Sequence, residues 1–198
     1  MGRAKGLVLF PGAGSASTHS ALVKIGEQIK PIPTGRFDFP YRLAGKRPPD
    51  RAPVLLRCVR SEVQAFALHN HVRTSSLVIG GRSMGGRMCS LAAAGDTGVP
   101  DEIGQALKVR GLVLISYPLY PPASPHKLRI AHFGRIDVPV LFVHGTKDPF
   151  GTPKELQVHS KKIVGDVSFH FIDNARHELK NADDEVAEVV SSWVMSLR

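Results

Sequence analysis

Cysteine is scarce in this chain, acidic side chains are outnumbered, and no apolar run is long. Two cysteines, Cys58 and Cys89, cannot build the staple framework of a small disulfide-rich secreted domain. Each sits in an apolar or helical stretch, where a reduced, packed thiol is the ordinary state, so a reducing, cytoplasmic setting is expected. No stretch approaches the roughly 20 apolar residues of a membrane span. The run Leu7 to Phe10 is stopped by Pro11 and is too short for a signal peptide. Gly2 suggests a myristoylation site, but Gly6 stands where that motif needs Ser or Thr. There are 17 Asp and Glu against 26 Lys and Arg, a formal charge of +9. Such an excess suits phosphate neutralisation in a nucleic-acid complex. Here the basic residues are scattered (Arg3, Lys5, Arg42, Lys46, Arg47, Arg73, Arg110, Arg129, Lys161, Lys162), with no stripe and no interleaved aromatic platform. They read as a solvated surface, and neither a nucleic-acid nor a membrane partner is expected.

What is present fits one folded unit. The 198 residues, 42% of them hydrophobic, suffice for a full core, and a single domain over 1–198 is expected. β-rich apolar runs recur at 6–10, 37–41 (the weakest), 76–80, 111–116, 139–144 and 167–172. Helical patterns fall at 17–29, 52–69, 85–94, 152–163 and 182–196, within two to four residues. Continuous runs such as Leu77-Val78-Ile79 and Leu112-Val113-Leu114-Ile115 fit strands covered on both faces. The fold class is therefore α/β, a mostly parallel sheet of six or seven strands with helices on both faces. The last helix carries Val186, Val189, Val190, Trp193, Val194 and Leu197 on one face and docks on the sheet. Two loop-forming stretches, 45–51 and the Pro-rich 117–125, are too short to be domains.

The strongest local signal is Gly81-Arg82-Ser83-Met84-Gly85-Gly86, after the strand Leu77-Val78-Ile79-Gly80 and before the helical run Arg87-Met88-Cys89-Ser90-Leu91-Ala92. This is G-x-S-x-G between strand and helix. A serine on such a turn needs a strained backbone with no bulk two residues either side, and Gly81 and Gly85 supply that room. The helix that follows favours a developing oxyanion. The plain alternative is a flexible Gly/Ser loop, which the strand–turn–helix context argues against.

A nucleophilic serine needs a base and an orienting acid, in the chain order Ser, Asp or Glu, His. Asp148 follows the strand Val140-Leu141-Phe142-Val143-His144 after a short turn, and His177 follows Phe169-His170-Phe171-Ile172 through a four-residue loop. Both thus fall on the carboxyl edge of the sheet with Ser83, where open α/β folds place their sites. Asp148-Pro149 can also be a simple turn, and His177 a helix-flanking polar group. Asp173 competes for the acid role but lies only four residues from His177. His144 and His170 read as packed or surface groups. His69 and His71 at i,i+2 point apart, with no acid or Cys nearby. No metal and no cofactor are expected.

For the oxyanion, the expected donors are the amide of Met84 and that of Ala13, with Gly14 an alternative, from the loop Pro11-Gly12-Ala13-Gly14-Ser15. Gly12-x-Gly14-x-x-Ser17, with Asp38 farther on, also resembles a dinucleotide fingerprint, but Ser17 replaces its third glycine. Arg82 and Arg87 flank the serine, and Tyr41 and Arg42 are placed on the same edge. Gly12, Gly14, Arg82, Arg87 and Tyr41 are thus candidate substrate contacts, the arginines for a carboxylate or phosphate. Their ordinary alternative is surface pairing or packing.

Four segments together resemble the α/β-hydrolase superfamily: residues 80–87 around the serine, Arg-Phe-Asp-Phe-Pro-Tyr at 36–41, Ser-Tyr-Pro-Leu-Tyr-Pro-Pro at 116–122 and His-Gly-Thr-Lys-Asp-Pro-Phe-Gly-Thr at 144–152. Within it the chain looks like the dienelactone-hydrolase-like branch of small serine hydrolases. That branch is similar to bacterial hydrolases, to a testis-expressed animal protein and to a domain of a histone acetyltransferase complex subunit. The resemblance implies a Ser83, Asp148, His177 triad acting on a small acyl substrate. The last relative implies an alternative, a binding or scaffold role with a weak or inactive site. Relatives often have His-Gly where this chain has Pro11-Gly12, and dienelactone hydrolases proper use Cys where this chain has Ser83. Lid insertions in this fold commonly follow the strand ending at Ser116. Only a Pro-rich connection stands there, so an open site without a large cap is expected.

Overall fold

The computed structural model describes residues 2–197; Met1 and Arg198, the ends of the expected single domain, lie outside them. Six strands form one sheet: β1 (Gly6–Phe10), β2 (Thr34–Arg36), β3 (Leu77–Arg82), β4 (Gly111–Ile115), β5 (Val140–Gly145) and β6 (Val167–Ile172). Their order is β2-β1-β3-β4-β5-β6, and every neighbouring pair is parallel. Parallel neighbours require crossovers, supplied by α1 (Ser20–Gln28), α3 (Ala52–His69), α4 (Met84–Ala93) and α5 (Pro153–Ser160); α2 (Pro40–Leu43) and α6 (Asp183–Ser196) complete the set.

The pleat sends successive side chains to opposite faces. Leu7 and Leu9 of β1 pack with Leu22 and Ile25 of α1 and with Val186, Val190 and Val194 of α6. Val8 and Phe10 pack on the other face with Leu55, Val59 and Val63 of α3 and Met88 of α4. Every residue of β1 is therefore buried, which is why its hydrophobicity is continuous. Each such valine or leucine contributes about 1.5–3 kcal/mol of transfer free energy. The edge strand β6 is only partly buried.

One expected element is corrected. The weak strand at 37–41 is not a strand: pairing with β1 covers Thr34–Arg36 and ends with the Phe37 amide on the Leu9 carbonyl, 3.1 Å. Pro40 then opens α2, a position that suits its fixed φ and missing N–H. The alternating aromatics serve packing rather than a ladder: the Phe39 ring stacks on Phe10 at 5.4 Å and on Tyr41 at 6.4 Å. The first helix also starts later than expected, at Ser20, capped by the His19 side chain.

The chain runs outward from β1 to β2, then returns to place β3 on the other side of β1. The two loops leaving the carboxyl ends of β1 and β3 thus diverge at a topological switch point, where a crevice opens. No cap covers it. The segment 116–139 between β4 and β5 holds a single short turn of 3-10 helix, Phe133–Arg135.

Candidate active site

Ser83 is the N-cap of α4, with φ 51° and ψ −114°. A non-glycine residue held there costs about 1–3 kcal/mol. The conformation is locked from both sides: the Ser83 amide donates to the Ile115 carbonyl at 2.8 Å and its carbonyl accepts the Arg87 amide at 3.0 Å. The flanking glycines are obligatory, because a Cβ on Gly81 or on Gly85 would run into the Phe10 carbonyl oxygen. Met84 is the first residue of α4, so its amide has no partner within the helix and stands at the positive end of the dipole.

The structure brings the three side chains singled out in the sequence together. His177 Nε2 lies 2.9 Å from Ser83 Oγ, and His177 Nδ1 lies 2.7 Å from Asp148 Oδ2. A carboxylate only accepts, so Nδ1 carries the proton and Nε2 is left to accept from the serine hydroxyl. Asp148 is 3% exposed, and its other oxygen, Oδ1, accepts the Phe150 amide at 2.8 Å. The Phe150 ring meets the imidazole of His177 perpendicularly, centroids 4.5 Å apart. Asp173, the competing acid, is exposed and bound to Thr146 and Asn174 instead.

Several contacts position this arrangement. The buried guanidinium of Arg82 donates to the His177 carbonyl at 3.1 Å. Arg82 borders the crevice, but its charge is spent on holding the histidine loop. Tyr41 is corrected more sharply. It is buried and absent from the crevice wall, and its hydroxyl donates to the Ala13 carbonyl at 2.7 Å, fixing the loop after β1. Since a trans peptide sets C=O and N–H in opposite directions, that bond turns the Gly14 amide away from Tyr41. The Gly12 carbonyl accepts the Ser15 amide at 3.1 Å. Asp38, the acid of the dinucleotide alternative, is bound to Ser17 through its amide at 2.7 Å and its hydroxyl at 2.8 Å.

These groups border a cleft of about 780 Å³ whose wall includes Gly12, Ala13, Gly14, Ser83, Met84 and Arg87. That size admits a small organic molecule. Among the described residues, no group of three or more His, Cys, Asp or Glu side chains is arranged to hold a metal ion, and no helix is long and apolar enough to cross a membrane.

The sequence matches the model of the α/β hydrolase domain family over residues 3–194. The chain belongs to the α/β hydrolase domain family. Solved structures with the same fold include an α/β serine hydrolase homologue from Coxiella burnetii, with a TM-score of 0.73 at 14% identity, covering 96% of this chain and 85% of that one. Dienelactone hydrolase from Anabaena variabilis aligns with a TM-score of 0.70 at 20% identity over 98% of this chain and 88% of that one. The esterase domain of a Rhodothermus marinus protein aligns at 0.65 and 17% identity over 98% and 87%. At these identities the likeness is one of fold.

His144 reads in the sequence as a packed or surface group, and in this hydrolase fold it is packed; its place against Asp148 is not anticipated there. It is fully buried behind Asp148, its Nε2–H donating to the Gly151 carbonyl at 2.8 Å, and burial holds its pKa below the ordinary value. Only its position four residues before Asp148, at the end of a strand, hinted at this. Phe150 and His19, which also border the cleft, carried no sequence signal beyond adjacency.

Proposed function

We propose that the protein is a serine hydrolase that cleaves an ester-like bond of a small acyl substrate through a covalent acyl-enzyme. The observation that carries the reading is the hydrogen-bonded chain Ser83 Oγ, His177, Asp148 at 2.9 and 2.7 Å, at the wall of an open cleft. In the first step Ser83 Oγ attacks the carbonyl carbon while its proton passes to His177 Nε2. Asp148 holds the imidazole in the useful tautomer and stabilises the imidazolium. The Met84 amide and one from Ala13 or Gly14 receive the oxyanion. His177 then gives its proton to the leaving alcohol as the ester C–O bond breaks. Water, deprotonated by the same imidazole, attacks the acyl-serine, and the acid leaves with Ser83 restored.

The strained backbone of Ser83 supports the same reading, since strain of this kind persists where a side chain must be presented in one direction. We place the protein in the cytoplasm, in keeping with two free thiols, and expect neither nucleic acid nor membrane as a partner. A panel of p-nitrophenyl esters of increasing acyl length tests the proposal. Turnover that falls at least a thousandfold in His177→Ala supports it. Folded protein that turns over none of them favours the binding or scaffold role.

A further inference from the structure

Arg87 and Arg129 border the same cleft as Ser83, and among the described residues neither guanidinium has a carboxylate partner. Arg87 Nε is buried with no hydrogen-bond partner at all. A charged donor left dry and unpaired is costly, and in a folded protein it calls for an explanation. The two side chains also sit close enough to repel. Burial first, and the charge of Arg87 second, hold the Arg129 guanidinium below its ordinary pKa.

The cleft does contain acids, Asp50 and Glu178, but neither forms an ion pair with Arg87 or Arg129. Glu178 is the leading counter-charge of Arg82. Asp50 acts weakly on Tyr41 and Cys58, and its Oδ2 is buried without a hydrogen-bond partner. Arg82 itself is committed to the His177 carbonyl. Among the described residues, Arg87 and Arg129 of this cleft therefore have no ion-pair partner. Arg87 follows Ser83 by four positions, one turn into α4, about 6 Å along its axis.

We propose that Arg87 and Arg129 form an anion subsite, so that the substrate is a short ester bearing a carboxylate or phosphate group beside the scissile carbonyl. The inference rests on the hydrolase reading above for the ester, but the subsite itself is a matter of binding. Planar guanidinium forks suit both anions. The anion would relieve the repulsion between the two arginines.

The test has two anionic arms, each with a neutral isostere: monomethyl glutarate against dimethyl glutarate for a carboxylate, and 2-acetoxyethyl phosphate against 2-methoxyethyl acetate for a phosphate. On at least one arm the wild-type kcat/KM is expected to favour the anionic ester by about tenfold or more. That ratio is expected to fall toward one in Arg87→Gln and, separately, in Arg129→Gln. The arm with the preference identifies the anion. Equal or poorer turnover of the anionic ester on both arms, or a preference that survives both substitutions, overturns the subsite. Calorimetric binding of glutarate and of inorganic phosphate to the wild-type protein separates the two ideas. Binding that is lost in the Gln variants, without turnover of any ester, overturns the hydrolase reading and leaves the subsite standing. Hydrolysis of the neutral esters with no anion preference and no anion binding overturns the subsite alone.

Discussion

His144 Nε2 lies 3.6 Å from Asp148 Oδ2, yet its proton goes to the Gly151 carbonyl. The two histidines around Asp148 therefore do not compete: Oδ2 is left to His177 Nδ1 at 2.7 Å, while Oδ1 is occupied by the Phe150 amide. The carboxylate is buried, fully assigned and able to fix one tautomer of one imidazole.

Asp148→Asn is accordingly expected to keep the fold and lose the chemistry. An amide nitrogen facing Nδ1 would favour the wrong tautomer, with the proton on Nε2, where it cannot accept from Ser83. The expected loss in kcat is about 10³–10⁴-fold, measured on a p-nitrophenyl ester, with an unchanged circular dichroism spectrum as the control.

The backbone of Ser83 gives a second expectation, about stability. At φ 51° a Cβ is strained and glycine is not, so Ser83→Gly is expected to be more stable than Ser83→Ala by about 1 kcal/mol. Glycine's larger entropy when unfolded works against this and keeps the difference modest. Urea midpoints of the two inactive variants, compared at equal m-value, measure it.

Stability is also expected to fall in acid. Burial pushes the His132 imidazole down to about 3, the positive charges of Arg87 and Arg135 adding to the effect; His144 moves in the same direction. Between the folded value near 3 and the ordinary 6.5 of the unfolded chain, the unfolded state binds more protons. Stability therefore rises with pH across that window, is complete above about pH 7, and is lost as pH falls toward 3. From pH 7.5 to 4.5 the His132 contribution is on the order of 2–3 kcal/mol. Urea unfolding at the two pH values is expected to show it, with a shallower dependence in His132→Gln.

The serine elbow was legible in the sequence because its requirements are local: a buried strand, two glycines two residues either side, and a helix, all within one stretch of chain. Asp148 and His177 could be placed because a parallel sheet puts every strand's carboxyl end on one edge, so the end of a strand reports a position in space. Tyr41, Arg82 and His144 were not legible in the same way. Their roles depend on a partner far off in the chain: the Ala13 carbonyl for Tyr41, the His177 carbonyl for Arg82, and for His144 the shape of the turn that follows β5. Adjacency to the serine suggested substrate contact for Arg82, where the fold uses it as a brace. The strand expected at 37–41 failed for a related reason, since alternating aromatics look alike whether they line a ladder or stack on Phe10.

Whether Ser83 is a nucleophile is most directly measured by intact-mass spectrometry of the folded protein after exposure to a fluorophosphonate, with the modified peptide mapped. One adduct per chain, on Ser83 and absent from Ser83→Ala and His177→Ala, is the expected result. Folded protein that stays unmodified, or carries its adduct on another residue, would contradict the account.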